Sequence, residues 1–449
     1  MFLPHRSHFW RLLRSLLYLG FGLFLFIIPG ITLVGDLSDP ALRSGSIPRA
    51  AWRLNQSLAP RYAKWAADRV ASRKASQMDM ENVADTEWPL FGSVFYLWSL
   101  ESLQHAWEID HGQASVAPAI SARSTIEACA NLVTDPNHAT WVRQKWGDNY
   151  LHRQDLFYRF LLISAMTSYT RLTDNPRFLG QLRDQVDTLS AEFDSSPHGW
   201  LEDYPGECYP TDIVGALAAI RRADSVLKTD HSALINRALR GFQPPQVDRH
   251  GLPPYFASAT TGVPMTDSRG CGNSFALICA PEIWPSVAHL WYQAYDTYFW
   301  QRRMGLVGFR EFSNDTPDMD TFADVDSGPV ILGYGFAASA FGTGAARVNG
   351  RMDQAGSLTA EMLVSSWPLG DGTLLVPHLL SKGTDAPYLG EVGILFCLTC
   401  QPIAGIQQNC SSVMTPFVSL MLLLYFGLGT FFALPFVQAL RASWQRAPA

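Results

Sequence analysis

Trp88-Pro-Leu-Phe-Gly-Ser-Val-Phe-Tyr-Leu-Trp-Ser-Leu-Glu-Ser-Leu103 is apolar nearly all round a helical wheel, with Glu101 its only charge. A helix at the surface of a soluble domain keeps a polar stripe; one that has lost it is buried on most faces. The pattern recurs outward along the chain. Residues 116–133 are amphipathic, with Arg123 and Glu127 on the wet side, and 156–172 are strongly apolar. Asn175-Pro176 then opens a mixed partner through 178–193. Apolar 212–223, 272–280, 328–346 and 389–400 alternate with polar or mixed 231–239, 284–300 and 352–364. Inner apolar helices alternating with outer amphipathic ones are what an all-α (α/α)6 toroid of helical hairpins requires, here over 85–402. An α-solenoid is the competing architecture, but no fixed-period repeat is visible.

Two uncharged runs bracket this pattern. Residues 15–35 include Leu16-Leu-Tyr-Leu-Gly-Phe-Gly-Leu-Phe-Leu-Phe-Ile-Ile-Pro29, and 413–440 include Leu420-Met-Leu-Leu-Leu-Tyr-Phe-Gly427 and Phe431-Phe-Ala-Leu-Pro-Phe436. Each suits the roughly 20 residues that a transmembrane helix needs. The first exceeds the apolar core of a secretion signal, about 7–15 residues, and no small-x-small cleavage site follows it, so an uncleaved anchor is expected. Arg6, Arg11 and Arg14 precede the first run, Arg441 and Arg446 follow the second, and neither end carries Asp or Glu. The positive-inside rule then places tails 1–14 and 441–449 in the cytoplasm and everything between the spans outside it. Residues 36–84 are expected as an amphipathic helical linker.

The chain has 449 residues, 34 of them basic and 40 acidic. Setting aside the five terminal arginines leaves 29 basic against all 40 acidic residues, a net charge of −11 between the spans. That balance argues against nucleic acid or an anionic lipid surface as the domain's partner. The seven cysteines (129, 208, 271, 279, 397, 400 and 410) are odd in number and do not form a disulfide framework. Cys397-Leu-Thr-Cys400 has redox spacing but lies in an apolar stretch without a βαβ context, which fits small buried residues or a local disulfide. No HExxH or repeated CxxC occurs, so neither a metal nor another cofactor is expected.

Chemistry concentrates in loops that lead into the apolar helices. His198-Gly-Trp-Leu-Glu-Asp-Tyr-Pro-Gly-Glu-Cys-Tyr-Pro-Thr-Asp212 crowds four carboxylates, two tyrosines, a histidine and a cysteine into fifteen residues. Glu207 is the leading general-acid candidate, because a turn and a proline fix its direction and nearby aromatic rings disfavour its charged form. Asp212 stands where either a base or a plain helix cap belongs. Cys208 reads as an inert buried thiol rather than a nucleophile, since no base is assignable to it. Trp146-Gly-Asp-Asn-Tyr-Leu-His152 adds His152, and Asp148 and Asp155 nearby are equally ordinary N-caps. Arg269 precedes another apolar helix and suits either a bound carboxylate or a salt bridge. Asp324 and Asp326 stand before the last small-residue helix, where two acids also suit a helix dipole without any function. Trp200, Tyr204 and Tyr209 are candidate binding faces.

In order along the chain, Trp88-Pro-Leu-Phe-Gly-Ser-Val-Phe95, Trp146-Gly-Asp-Asn-Tyr150, Tyr204-Pro-Gly-Glu-Cys-Tyr-Pro-Thr-Asp212, Ser268-Arg-Gly270 and Asp324-Val-Asp-Ser-Gly-Pro-Val330 resemble a known group. It comprises bacterial membrane proteins with a linalool dehydratase/isomerase-like domain, among the six-hairpin glycosidase-like toroids. The resemblance covers most of 85–400. It implies a periplasmic toroid held in the inner membrane, and acid/base chemistry on a small terpene alcohol with cysteines, a histidine, a tyrosine and an aspartate around the pocket. Cys208 would fall near the first active cysteine, but no second cysteine follows until Cys271, in a different loop, so the terpene reaction is not carried over. Glycosidase-type toroids imply instead a carbohydrate pocket with paired acids and aromatics, for which Trp200, Tyr204, Tyr209, Glu207 and Asp326 are the right types. The expectation is cofactor-independent hydrolysis or elimination on a hydroxylated neutral substrate, a glycan first. Glu207 would be the acid and Asp326 or Asp212 the base, with Arg269, Asp324, His152, Cys208 and the aromatics binding. The alternatives are a lyase acting on a lipid-like alcohol and a non-catalytic glycan-binding scaffold.

Overall fold

The computed structural model describes residues 5–411 and 413–444, with the side chains of 10–411 and 413–441. Arg446, the side chain of Arg6 and the outermost residues of both tails lie outside the described residues. The protein is mostly helical. Its body is built on α1 (Arg49–Ala71), α2 (Val83–Ile109), α3 (Arg123–Val133), α4 (Leu156–Thr173), α5 (Leu179–Ser195) and α6 (Pro210–Leu227). It continues through α7 (Ser232–Ala238), α8 (Gly270–Ile283), α9 (Pro285–Phe299), α10 (Phe336–Val348), α11 (Met352–Ser366) and α12 (Leu389–Thr399).

The even-numbered helices pack successively, α2 on α4, α4 on α6, α6 on α8, α8 on α10 and α10 on α12, and α12 returns to α2. Odd-numbered helices lie against them: α3 on α2 and α4, α5 on α4 and α6, α9 on α8, and α11 on α10. Helix α1, from the segment expected as a linker, packs on α3 and α12, and its buried side chains belong to the same core. Aromatic side chains from the even helices meet in the middle. Phe95 stacks on Phe396 at 4.7 Å, Phe91 meets Phe157 at 5.0 Å, and Phe275 meets Phe341 at 6.1 Å. The run Ile213-Val-Gly-Ala-Leu-Ala-Ala-Ile220 supplies small residues opposite them, and a Cβ on Gly215 would stand 3.1 Å from the Phe275 ring.

Departures from a purely helical reading lie in the connections. Between α9 and α10 the chain forms a hairpin, Trp300–Arg303 with Leu306–Phe309, and a small sheet of Thr321–Asp324, Gly328–Ile331 and Tyr334–Gly335. The apolar run expected as a helix from 328 therefore begins as strand and turns helical only at Phe336.

Two apolar helical stretches, Trp10–Ser44 and Pro416–Arg441, are long and apolar enough to cross a membrane. They pack on each other along Gly22 and Gly429, where Cβ atoms would meet Phe432 and Ile27. The first widens into a π-turn at Leu23–Ile27 just before Pro29. Pro29 has no N–H for the Leu25 carbonyl one turn back. The Trp367 indole N–H donates to that oxygen, at 2.7 Å, and ties the helix to the end of α11.

Candidate functional site

Consecutive even helices lie side by side, each reached through an odd helix running back, so their N-terminal ends gather at one end of the body. Glu87 lies near the start of α2, Asp155 immediately before α4, Asp212 in the first turn of α6, Arg269 immediately before α8, and Asp326 ahead of α10. Within this group Glu87, Asp212 and Asp326 act on one another electrostatically, and Glu207 acts on Glu87.

The 198–212 segment is a tight, internally braced turn. The Glu207 N–H donates to the Tyr204 carbonyl at 2.8 Å, and the Asp203 N–H donates to the Glu207 carbonyl at 2.8 Å. The Tyr209 N–H donates to the Asp203 carboxylate at 2.8 Å, while Gly206 takes the left-handed conformation, φ 85°, that the reversal requires. Thus fixed, Tyr204 donates its hydroxyl to Glu87, and Tyr209 donates its own to Glu207 at 3.1 Å. From the next loop Tyr255 donates to Asp326 and packs edge-on against Tyr209, with ring centroids 5.4 Å apart. Lys145 lies over the Tyr204 ring at 4.3 Å.

Burial pushes Glu87 up to about 7; the Tyr204 hydrogen bond resists the shift and the Asp326 charge adds to it. Asp212 is pushed up to about 8 by burial and then by the charges of Glu87 and Asp326. Both keep some contact with solvent. Asp203 is also raised, by burial and by Asp212, but it lies fully inside as the brace of the turn. So raised, Asp212 favours its protonated form, which suits a proton donor better than the base expected of it.

Arg269 is committed to two acids. Its Nε donates to Glu311 at 2.7 Å and its Nη1 to Asp324 at 2.7 Å, and its guanidinium lies 4.3 Å from the Tyr255 ring centroid. Burial opposes ionisation of Asp324, but Arg269 and the Ser327 N–H and hydroxyl hold it below the usual carboxylate range. Glu311 also accepts from the Cys271 N–H at 3.1 Å and from its thiol at 3.0 Å. A side chain at Gly270 would run into the Arg310 carbonyl, so the start of α8 tolerates only glycine in this geometry. Arg269 and Asp324 thus form the salt bridge that was one of the two readings of Arg269, and they brace the loops that carry Tyr255 and Asp326.

Other candidates stand apart. Trp200 is 1% exposed and packs on Phe242 in the core, with no face left for a ligand. His152 pairs with Asp184 of the outer helix α5 at 3.1 Å. Cys208 is buried beside the loop, and burial, with Asp203 and Asp212, drives its thiol pKa up. It is a free thiol, as are Cys397 and Cys400. Glu87, Tyr255 and Glu311 were not singled out from the sequence. For Glu87 the one signal was its place directly before Trp88-Pro89, where the stretch without charge that runs to Glu101 begins. Among the described residues no group of three or more His, Cys, Asp or Glu side chains is placed to hold a metal ion. Comparison with known proteins finds no matching family model and no matching curated sequence.

Proposed function

We propose that the chain is a membrane-anchored enzyme of the bacterial cell envelope whose body is an (α/α)6 toroid. Its acid-lined end would carry out acid/base hydrolysis or elimination on a hydroxylated neutral substrate, a glycan first. The closed succession of even helices, each backed by odd ones, supports the toroid. The two apolar terminal helices and the arginines outside them support two spans with both ends cytoplasmic and the body periplasmic. One observation carries the chemistry: Glu87 and Asp212 are held near neutrality, at about 7 and 8, beside Asp326. Groups titrating near the working pH are the efficient proton donors. In this reading Glu87 or Asp212 protonates the departing oxygen. Asp326, steadied by Tyr255, takes the proton or supports the developing positive charge, and Glu207 and Tyr209 orient hydroxyls.

The cluster of Phe91, Phe95, Phe275 and Phe341, on helices that the site residues precede or open, favours a second reading, elimination or isomerisation of an alcohol with an apolar skeleton. The test is turnover by the full chain in lipid, against envelope glycans and against long-chain and terpenoid alcohols. Glu87→Gln and Asp212→Asn should each lower the rate by about 10²–10⁴-fold. A substrate that both variants turn over at the parent's rate would overturn the assignment.

A further inference from the structure

Between α11 and α12 the chain makes a tight hairpin and then a short helix, Leu375–Lys382. Trp367 forms the base, and the Leu375 N–H donates to its carbonyl at 3.1 Å. The same Trp367 meets Phe26 at 5.5 Å and Tyr425 at 4.4 Å and donates to Leu25, so it touches both apolar terminal helices. A Cβ on Gly370, at the hairpin tip, would lie 3.8 Å from Ile28. These contacts fall well inside the first apolar stretch, Trp10–Ser44.

One face of the short helix is tied inward. His378 Nδ1 lies 3.1 Å from the buried Glu391 carboxylate, which also accepts from Arg61, and Cβ atoms on Gly390 would meet Pro377 and Ser381. The opposite face is apolar and uncovered, with Val376 37%, Leu379 59% and Leu380 69% exposed. Their spacing makes one stripe. Exposed aliphatic and aromatic side chains of the terminal helices, Phe24, Ile31, Leu420 and Leu423 among them, present the same character.

We propose that helix Leu375–Lys382 lies in the membrane interface beside the two spans, with Val376, Leu379 and Leu380 in the acyl boundary and Lys382 reaching back to the headgroups. The proposal rests on reading the terminal helices as spans. Lipid is the occupant because Trp367 and the hairpin tie the segment that carries the stripe to those helices, and because the Glu391 contacts hold the stripe outward.

The test uses the full chain with Cys410→Ser and one added cysteine, Leu379→Cys, Leu423→Cys or Asp187→Cys. Each is labelled with a polarity-sensitive fluorophore and reconstituted in phosphatidylcholine/phosphatidylglycerol vesicles with and without headgroup-level nitroxide lipid. The Leu379 probe should emit to the blue of the exposed Asp187 probe and lose intensity to the nitroxide. A Leu379 probe matching Asp187 while the Leu423 probe is quenched would overturn the interfacial helix and leave the spans standing. Loss of quenching at Leu423 as well would overturn both. A blue-shifted Leu379 probe that lipid does not quench, and that reverts when protein is diluted in lipid, would assign the stripe to a second copy instead.

Discussion

Tyr204 donates its hydroxyl to Glu87, joining the turn before α6 to the start of α2 across 117 positions of the chain. The bond favours the ionised carboxylate and so works against burial, which holds Glu87 up at about 7. Tyr204→Phe should therefore move the Glu87 midpoint above 7, and Asp326→Asn, by removing a neighbouring charge, should lower the midpoints of both Glu87 and Asp212. Infrared titration of the protonated-carboxyl band, with Glu87→Gln and Asp212→Asn to assign it, measures both shifts. A downward shift in Tyr204→Phe would contradict the arrangement.

The raised carboxyls also set how stability depends on pH. Asp212 titrates near 3.8 when unfolded and at about 8 when folded, so between these values the folded chain binds more protons. Stability is then greatest at the acid end of that window, falls as pH rises through it, and levels off above pH 8. Glu87 acts in the same direction up to about pH 7. Where the folded form is protonated and the unfolded form ionised, each group contributes a slope of about 1.4 kcal/mol per pH unit. Asp315, held down first by Ser313 and then by His250, and Asp324 contribute stability that is lost only on further acidification. Asp212→Asn should match the parent near pH 4 and exceed it at pH 8, measured by thermal unfolding in detergent across the range.

Arg269 bridges Glu311, whose side chain is fully buried, and Asp324. Removing one partner of such a group strands a charge, at a cost of roughly 3–5 kcal/mol. Arg269→Ala should lower the unfolding midpoint far more than Glu207→Gln, whose half-buried carboxylate accepts a single hydrogen bond from Tyr209. Adding Glu311→Gln to Arg269→Ala should recover part of the loss, because the stranded charge is then gone. Equal costs for Arg269→Ala and Glu207→Gln in denaturant titrations would refute the bracing role.

The even helices were legible because burial on most sides erases the polar stripe, and Trp88–Leu103 and 212–223 show this in composition alone. The strands were not. In the 300–309 hairpin the left-handed turn positions fall on Met304 and Gly305, φ 55° and 81°, and methionine is a poor signal for that conformation. Before α10, Gly328-Pro-Val-Ile331 reads as small and apolar, and only its pairing with Thr321–Asp324 makes it strand. The site was half legible. Pro205-Gly-Glu207 announced a rigid turn, but which acid holds its proton depends on which charges the fold gathers. Glu87, Asp212 and Asp326 are far apart in sequence. Trp200 and His152 misled because residue type says nothing about which way a side chain faces.

Cysteine reactivity offers a separate check on the reading of Cys208. Thiolate is the reactive form, and burial raises the thiol pKa of Cys208, of Cys271 beside Glu311, and of Cys129. Cys279 and Cys400 are pushed up to about 12, and Cys397 is raised as well. Cys410 is the exposed one among these free thiols. Iodoacetamide at pH 8 on the folded protein in lipid should therefore modify Cys410 within minutes and leave the others intact until denaturant is added, read by peptide mass mapping. Fast labelling at Cys208, abolished by Asp212→Asn, would make it a nucleophile served by a base and would reopen a covalent mechanism at the turn.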